Sequence, residues 1–314
     1  MIYETSVRTL KMCMHEHYED CPWREQALYT MDSRNQMLCG YYAFHEYAFP
    51  AASIRLMAES IRDDGLLELC SPARVSITIP SFTAMFIYQV WEYMKYSGDK
   101  KLAEEILPVL IKIADGFEKR SENGLMPCYT EEYYWNFYEW QTWLEGSISG
   151  SIAEKDITYD APLSAFVSLG IGALSEICRE LYKISEAEHY SELKEKVNAA
   201  ADKYFWSEEN GAYATYIKKS DIKNADCARY HYAELTNALM VCCGAAKDER
   251  AKKISHKLKD KELIPVTLSY SIFKYEAMIM SGDDMVREVF RSIAEDWGYM
   301  LKNNATTFWE TING

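Results

Sequence analysis

The stretch DCPWREQALYTMD, running from Asp20 to Asp32, places Asp20, Arg24, Glu25 and Asp32 in one short segment. Carboxyl groups accept hydrogen bonds and can hold or release a proton near neutral pH when burial or a neighbouring acid shifts them. A guanidinium donates in a planar fork and stays charged. Such a set can grip vicinal hydroxyls and deliver a proton to a bond being broken. Each residue also has a plainer reading. Asp20 suits an N-cap with Cys21-Pro22 entering a helix, Glu25 a dipole-favoured first turn, and Asp32 a cap for the segment SRNQML. Capping accounts for neither Trp23 nor Arg24.

A second acid of interest is Glu310, after Phe308-Trp309 in NNATTFWETING. Taken alone it reads equally as a surface acid. In a ring of helices, however, the first and last elements become neighbours, which would bring Glu310 across from Glu25. Two carboxyls facing across an aromatic-lined cleft are the minimum equipment for glycoside hydrolysis. Aromatic rings are plentiful: the chain has 8 Trp and 24 Tyr. Several fall in residues 124–156, GLMPCYTEEYYWNFYEWQTWLEGSISGSIAEKD, the longest break in the helical pattern. A segment of this length within a domain is usually functional. It reads as a lid packed by its own aromatics, or as a cleft wall whose rings stack on sugar.

The elements that must position these residues read as helices almost throughout. Apolar residues at helical spacing predict helices over 5–18, 33–47 and 51–62, with Phe49-Pro50 as the break between the last two. Ser81 is a candidate N-cap after Pro80 for SFTAMFIYQVWEYMKYSGD, and KKLAEEILPVLIKIADGFEKRSENG repeats the form. Further helices fit 160–185, 187–205, 230–244, 247–259, 267–281 and 283–302. Within pairs, one helix is apolar almost all round, as in TLSYSIFKYEAMIM, and its neighbour is amphipathic, as in AKKISHKLKDK. Fully buried helices alternating with half-buried ones predict two concentric layers. About eleven helices come close to the twelve of an (α/α)6 barrel. An irregular bundle or a solenoid is the competing architecture, and no repeat of fixed length supports the solenoid.

Composition narrows the partners. Of 314 residues, 48% are hydrophobic and 26% charged, a globular balance. The net charge of −14 and the lack of a Lys/Arg cluster argue against nucleic acid. No window of the sequence is expected to supply the roughly 18 to 20 apolar residues that span a membrane. The charged N-terminus, MIYETSVRTLKMCMHEHYED, lacks the apolar core of a signal peptide. Nine scattered cysteines, without C-x-x-C pairs, predict free thiols in a reducing, cytoplasmic setting rather than disulfides or zinc.

DCPWREQALYTMD, taken with WNFYEW, AELTNALMV and TTFWETING, resembles the catalytic domain of α-L-rhamnosidases of glycoside hydrolase family 78. The resemblance covers nearly the whole chain. It implies a single all-α (α/α)6 barrel over residues 1–314 and hydrolysis of terminal α-L-rhamnose with inversion, using no metal and no cofactor. By matching position, Glu25 would be the general acid and Glu310 the general base. Asp20, Arg24 and Asp32 would bind rhamnose hydroxyls, and Trp135 and Trp140 would pack against the sugar. Inversion asks for carboxyls about 6.5–9.5 Å apart. It also asks Arg24 to point at Asp20 or the sugar rather than at Glu25. The partner expected is a rhamnoside, with no nucleic acid and no membrane.

Two motif positions depart from the family pattern: Met31 stands where Gly is common, and Glu139 where Asp is common. Family members also carry flanking β-domains, a closing helix and a sugar-binding His after the second acid. The chain therefore reads as a truncated catalytic domain. Two alternatives stay open beside this reading. One is another (α/α)6 glycosidase or a lyase, although a lyase acting on uronates sits poorly with the acidic loop. The other is an inactive fragment that binds carbohydrate.

Overall fold

The computed structural model describes residues 1–148, 152–222, 229–282 and 284–312. Eleven α-helices run along these residues: α1 (Ile2–Met12), α2 (Thr30–Ala43), α3 (Ala48–Ala58), α4 (Pro80–Ser97), α5 (Lys100–Arg120), α6 (Ala161–Glu180), α7 (Ile184–Phe205), α8 (Glu234–Cys242), α9 (Asp248–Lys259), α10 (Ser271–Met280) and α11 (Asp284–Lys302). Even-numbered helices pack in succession, α2 on α4, α4 on α6, α6 on α8 and α8 on α10. Odd-numbered helices cover them, and α1 meets α11.

The burial of each helix follows its sequence. In α4, α6 and α8 nearly every residue is buried, whereas α5 and α9 bury one apolar stripe, such as Leu102, Ile106, Leu110, Ile113 and Phe117 of α5. Inner helices are therefore apolar all round because protein surrounds them, and outer helices are amphipathic because water faces one side. Phe86 of α4 and Phe166 of α6 are fully buried, each contributing about 1.5–3 kcal/mol of transfer free energy. The α4–α6 contact closes at Gly170, where an added Cβ would lie 2.4 Å from the Ala84 carbonyl oxygen. Helix α6 corrects the membrane reading. It is long and apolar enough to cross a bilayer, yet it lies buried along its length inside the ring.

Local starts and stops differ from sequence expectation in instructive ways. Helix α2 begins at Thr30, so Asp32 lies in its first turn instead of capping it. Helix α4 begins at Pro80, which needs no amide partner at that position, and Ser81 turns away to donate to the Phe137 carbonyl at 2.7 Å. Pro50 does not separate two helices; it sits in the first turn of α3, where the missing N–H is harmless. Gly98 closes α4 in the left-handed conformation, φ 72°, as the SGDK turn predicts.

Inside the ring, Arg34 of α2 donates twice to Glu92 of α4, at 2.7 Å from Nε and 2.5 Å from Nη2. Its guanidinium lies over the rings of Tyr88 and Phe273, 5.4 and 5.3 Å from their centroids, with Glu276 of α10 at 3.8 Å.

Inner-to-outer connections are short, such as 98–99 and 181–183, whereas outer-to-inner connections are long: 13–29, 59–79, 121–160, 206–233 and 260–270. Every long segment therefore gathers at the same mouth, where the inner helices begin. Two small antiparallel sheets line it: β1 (Thr158–Asp160), β4 (Tyr216–Lys218) and β5 (Arg229–Tyr230) in the order β1-β4-β5, and β2 (Trp206–Ser207) with β3 (Ala212–Tyr213). Their register pairs Tyr159 with Ile217 and Tyr216 with Tyr230.

Candidate active site

Residues 20–29 fold as a tight loop that leads into α2, whose first turn carries Asp32. The Asp20 backbone N–H donates to the Ala27 carbonyl at 3.1 Å, and the Ala27 N–H donates back to Asp20 Oδ1 at 2.9 Å, closing the neck. Asp20 is thus a loop clasp and not a helix cap. Within the loop, the Glu25 N–H donates to Cys21 Sγ at 3.4 Å and Gln26 Nε2 to the Pro22 carbonyl at 3.1 Å.

Glu25 receives two donors at this mouth. Arg24 Nη2 reaches Oε1 at 2.8 Å, and the Tyr29 hydroxyl reaches Oε2 at 2.7 Å. The expected direction of Arg24 is thereby corrected: it points at Glu25. Glu25 is the adjacent acid and takes the guanidinium on Oε1, while Asp20 Oδ1 accepts the Ala27 amide. Both partners of this pair are well exposed, a setting in which an ion pair contributes little and exchanges readily. Burial, then the hydrogen bond to Glu25, pushes the Tyr29 hydroxyl pKa up. Tyr29 lies inside the quoted motif, yet a Tyr in a Tyr-rich chain carries no signal until its hydroxyl is placed.

Asp32 has its pKa raised to about 7, first by burial and second by Asp20, with Glu310 and Glu25 adding to the rise. Glu310 also raises the Arg24 pKa, behind the larger effect of Glu25. The C-terminal acid thus lies within electrostatic reach of both Arg24 and Asp32. Its segment is held by the Phe308 N–H, which donates to Thr9 Oγ1 of α1 at 2.9 Å, and by the Trp309 N–H, 3.4 Å from Met300 Sδ. Asp20, Arg24, Glu25, Asp32 and Glu310 consequently occupy one wall.

Trp135 and Trp140 belong to another wall, the α5–α6 segment. Their rings meet edge to face at 5.7 Å, and Trp140 meets Phe137 at 4.8 Å in the same manner. Trp135 Nε1 donates to the Glu145 carbonyl at 2.6 Å. The segment crosses itself at Gly146, φ 57°, where a Cβ would stand 2.4 Å from the Asn136 carbonyl oxygen. Trp140 stays 55% exposed, leaving an indole face available to a ligand.

Immediately before Trp140 in sequence is Glu139, fully buried. Its Oε2 accepts from the Thr267 N–H at 2.7 Å and the Thr267 hydroxyl at 2.8 Å, and its Oε1 has no partner. Burial raises its pKa to about 7, against the pull of the two Thr267 donors. Buried Tyr270 joins the walls, since Asp32 and Glu139 both add to the burial that raises its hydroxyl pKa. Asp160, at the start of α6, accepts from the Tyr138 hydroxyl and from Thr158 Oγ1 at 2.6 Å each, and burial pushes it to about 6. Nothing in the sequence marks Tyr138, Asp160 or Tyr270 as members of this mouth. Among the described residues, no group of three or more acids, His or Cys is placed to hold a metal ion.

Stacked helical hairpins whose long segments gather carboxyls and indoles at one end define the six-hairpin glycosidase fold class. The chain belongs to the bacterial alpha-L-rhamnosidase 6 hairpin glycosidase domain family, whose sequence profile matches residues 1–264. Glu310 lies beyond the matched span. The chain is similar to an alpha-L-rhamnosidase of Alteromonas sp. (strain LOR), 22% identical over 300 residues, covering 94% of this chain and 31% of the relative. It thus spans about a third of the length of that curated relative. Among solved structures it resembles the GH78 family rhamnosidase of Bacillus sp. GL1, with a TM-score of 0.84, 24% identity, and coverage of 99% of this chain and 31% of that one. It also resembles the rhamnosidase from Klebsiella oxytoca with rhamnose bound, with a TM-score of 0.80, 18% identity, and coverage of 99% and 56%.

Proposed function

We propose that the chain hydrolyses terminal α-L-rhamnosides with inversion, with Glu25 as general acid and Glu310 as general base. The observation that carries this reading is the convergence of two acid-bearing segments from opposite ends of the chain on one mouth, with Asp32 feeling both acids. The names of its relatives, one of them holding rhamnose, support the choice of sugar. In the reaction, a water oxygen attacks the anomeric carbon while Glu310 takes the water proton. The bond from that carbon to the glycosidic oxygen breaks, and the oxygen leaves with the proton of Glu25. Exchange with solvent then returns both carboxyls to their starting states.

Arg24 has a defined part in this cycle. When sugar hydroxyls take its donors, Arg24 releases Glu25 Oε1 to face the glycosidic oxygen, while the Tyr29 hydroxyl keeps its hold on Oε2. Trp140 offers its exposed face to the C–H side of the sugar, with Trp135 behind it.

The test is hydrolysis of p-nitrophenyl α-L-rhamnopyranoside by the wild type, Glu25→Gln and Glu310→Gln, alongside a panel of other aryl glycosides. Each variant should lose roughly 10²–10⁴-fold in kcat, and the first product seen by NMR should be the β-anomer. Unchanged turnover in both variants, or preference for another sugar in the panel, defeats the assignment. Rhamnose binding without turnover in the wild type would leave a carbohydrate-binding module instead.

A further inference from the structure

Trp23 is 90% exposed, more than any other large apolar side chain among the described residues. It is a residue that folding should have covered, since an indole can bury about 150–250 Å². It is also not a loose one at its backbone. The turn that carries it is clasped by the reciprocal Asp20–Ala27 bonds, by Glu25 N–H on Cys21 Sγ and by Gln26 on the Pro22 carbonyl. Pro22, immediately before it, has its φ fixed by the ring. Arg24, immediately after it, folds back onto Glu25 and leaves the indole uncovered.

We propose that Trp23 is the platform for the leaving group, and that the leaving group it selects is a flat, uncharged aromatic ring system. The inference rests on the reading of Glu25 as the general acid. That acid must come within hydrogen-bond reach of the glycosidic oxygen. Whatever is bonded to the far side of the oxygen must then lie over the turn that carries the acid, and Trp23 is two residues away on it. The sugar has its own rings, Trp135 and Trp140, on a different segment. A planar aromatic group matches an indole face by offset stacking. The carboxyls of Asp20, Glu25, Asp32 and Glu310 around the same mouth disfavour an anionic leaving group.

The experiment compares methyl α-L-rhamnopyranoside with 2-naphthyl α-L-rhamnopyranoside by calorimetry, in the Glu25→Gln background to prevent turnover. Trp23→Ala should weaken the naphthyl ligand about threefold to tenfold and change the methyl ligand less than twofold, while Trp23→Phe keeps most of the naphthyl affinity. Equal effects on both ligands, or none on either, overturn the proposal while leaving the rhamnosidase reading in place. If neither ligand binds even with Trp23 present, the rhamnosidase reading fails and the platform with it. If Trp23→Ala instead abolishes a self-association seen by sedimentation, with ligand binding unchanged, the indole is a protein contact and the proposal is wrong.

Discussion

Thr9 and Phe308 are 299 residues apart in sequence and 2.9 Å apart across a hydrogen bond, the Phe308 backbone N–H donating to Thr9 Oγ1. The same hydroxyl donates to the Thr5 carbonyl at 2.8 Å, so its acceptor lone pairs face the incoming amide. Helix α1 leads into the Glu25 loop, and Phe308 precedes Glu310 by two residues. One bond therefore helps set the separation of the two candidate acids.

Thr9→Val keeps the shape of the side chain and removes the acceptor. The Phe308 N–H is then left without its partner, at a cost of about 1–1.5 kcal/mol. Amide exchange at Phe308 should accelerate about tenfold. Turnover should fall through kcat, while the global unfolding midpoint stays nearly fixed, because the strap is peripheral to the ring. Exchange at the wild-type rate in the variant would show that the bond does not hold the segment.

Arg34→Met should destabilise the fold by about 3–5 kcal/mol, since Glu92 is left charged in the interior without its bidentate partner. Adding Glu92→Leu should recover most of that loss, because the penalty lies in the stranded charge. Urea denaturation of the single and double variants measures both values.

Glu139 gives the stability a pH dependence of known sign. Its folded pKa is about 7, against roughly 4.3 in an unfolded chain. Between those values the folded state holds a proton that the unfolded state has released. Stability from this group therefore falls as pH rises from about 4 to 7 and levels off above. Glu139→Gln removes the effect, so the gap between variant and wild type should move in the variant's favour from pH 5 to pH 8. Denaturation at the two pH values checks it, and an unchanged gap would refute it.

Gly170→Ala would ordinarily strengthen a helix by close to 1 kcal/mol. Here the new methyl would fall 2.4 Å from the Ala84 carbonyl oxygen, a backbone atom that cannot swing aside. We expect a net loss of about 1–3 kcal/mol, read from the urea midpoint. Gly98→Ala, with open space around the Cβ position but a left-handed φ, should lose less.

The ring was legible because burial imposes its period on sequence: α4 and α6 are apolar all round, and α5 and α9 are striped. Helix ends were less so. Asp32 looks like a cap before SRNQML, but Tyr29 is already extended and α2 starts at Thr30. The strands, two or three residues long, are too short to show alternation. At the site, the motifs single out the acids and the two indoles as candidates. The Arg24–Glu25 pair could not be read from them, because which acid the guanidinium meets is set by the side-chain directions in the turn and not by the residue types. Glu139, where the sequence departs from the family's Asp, is instead marked by Thr267, 128 residues away.

The α5–α6 segment has a consequence for the order of assembly. Tyr133 and Trp135 pair with Thr78, Phe137 with Ser81, Tyr138 with Asp160, Glu139 with Thr267, Gln141 with Pro265, and Thr142 with His231. Successive residues are stitched to different hairpins, so the segment cannot settle until those hairpins stand side by side. The cleft wall thus depends on hairpins from along the whole chain, and a nick within it would unfasten several of them at once.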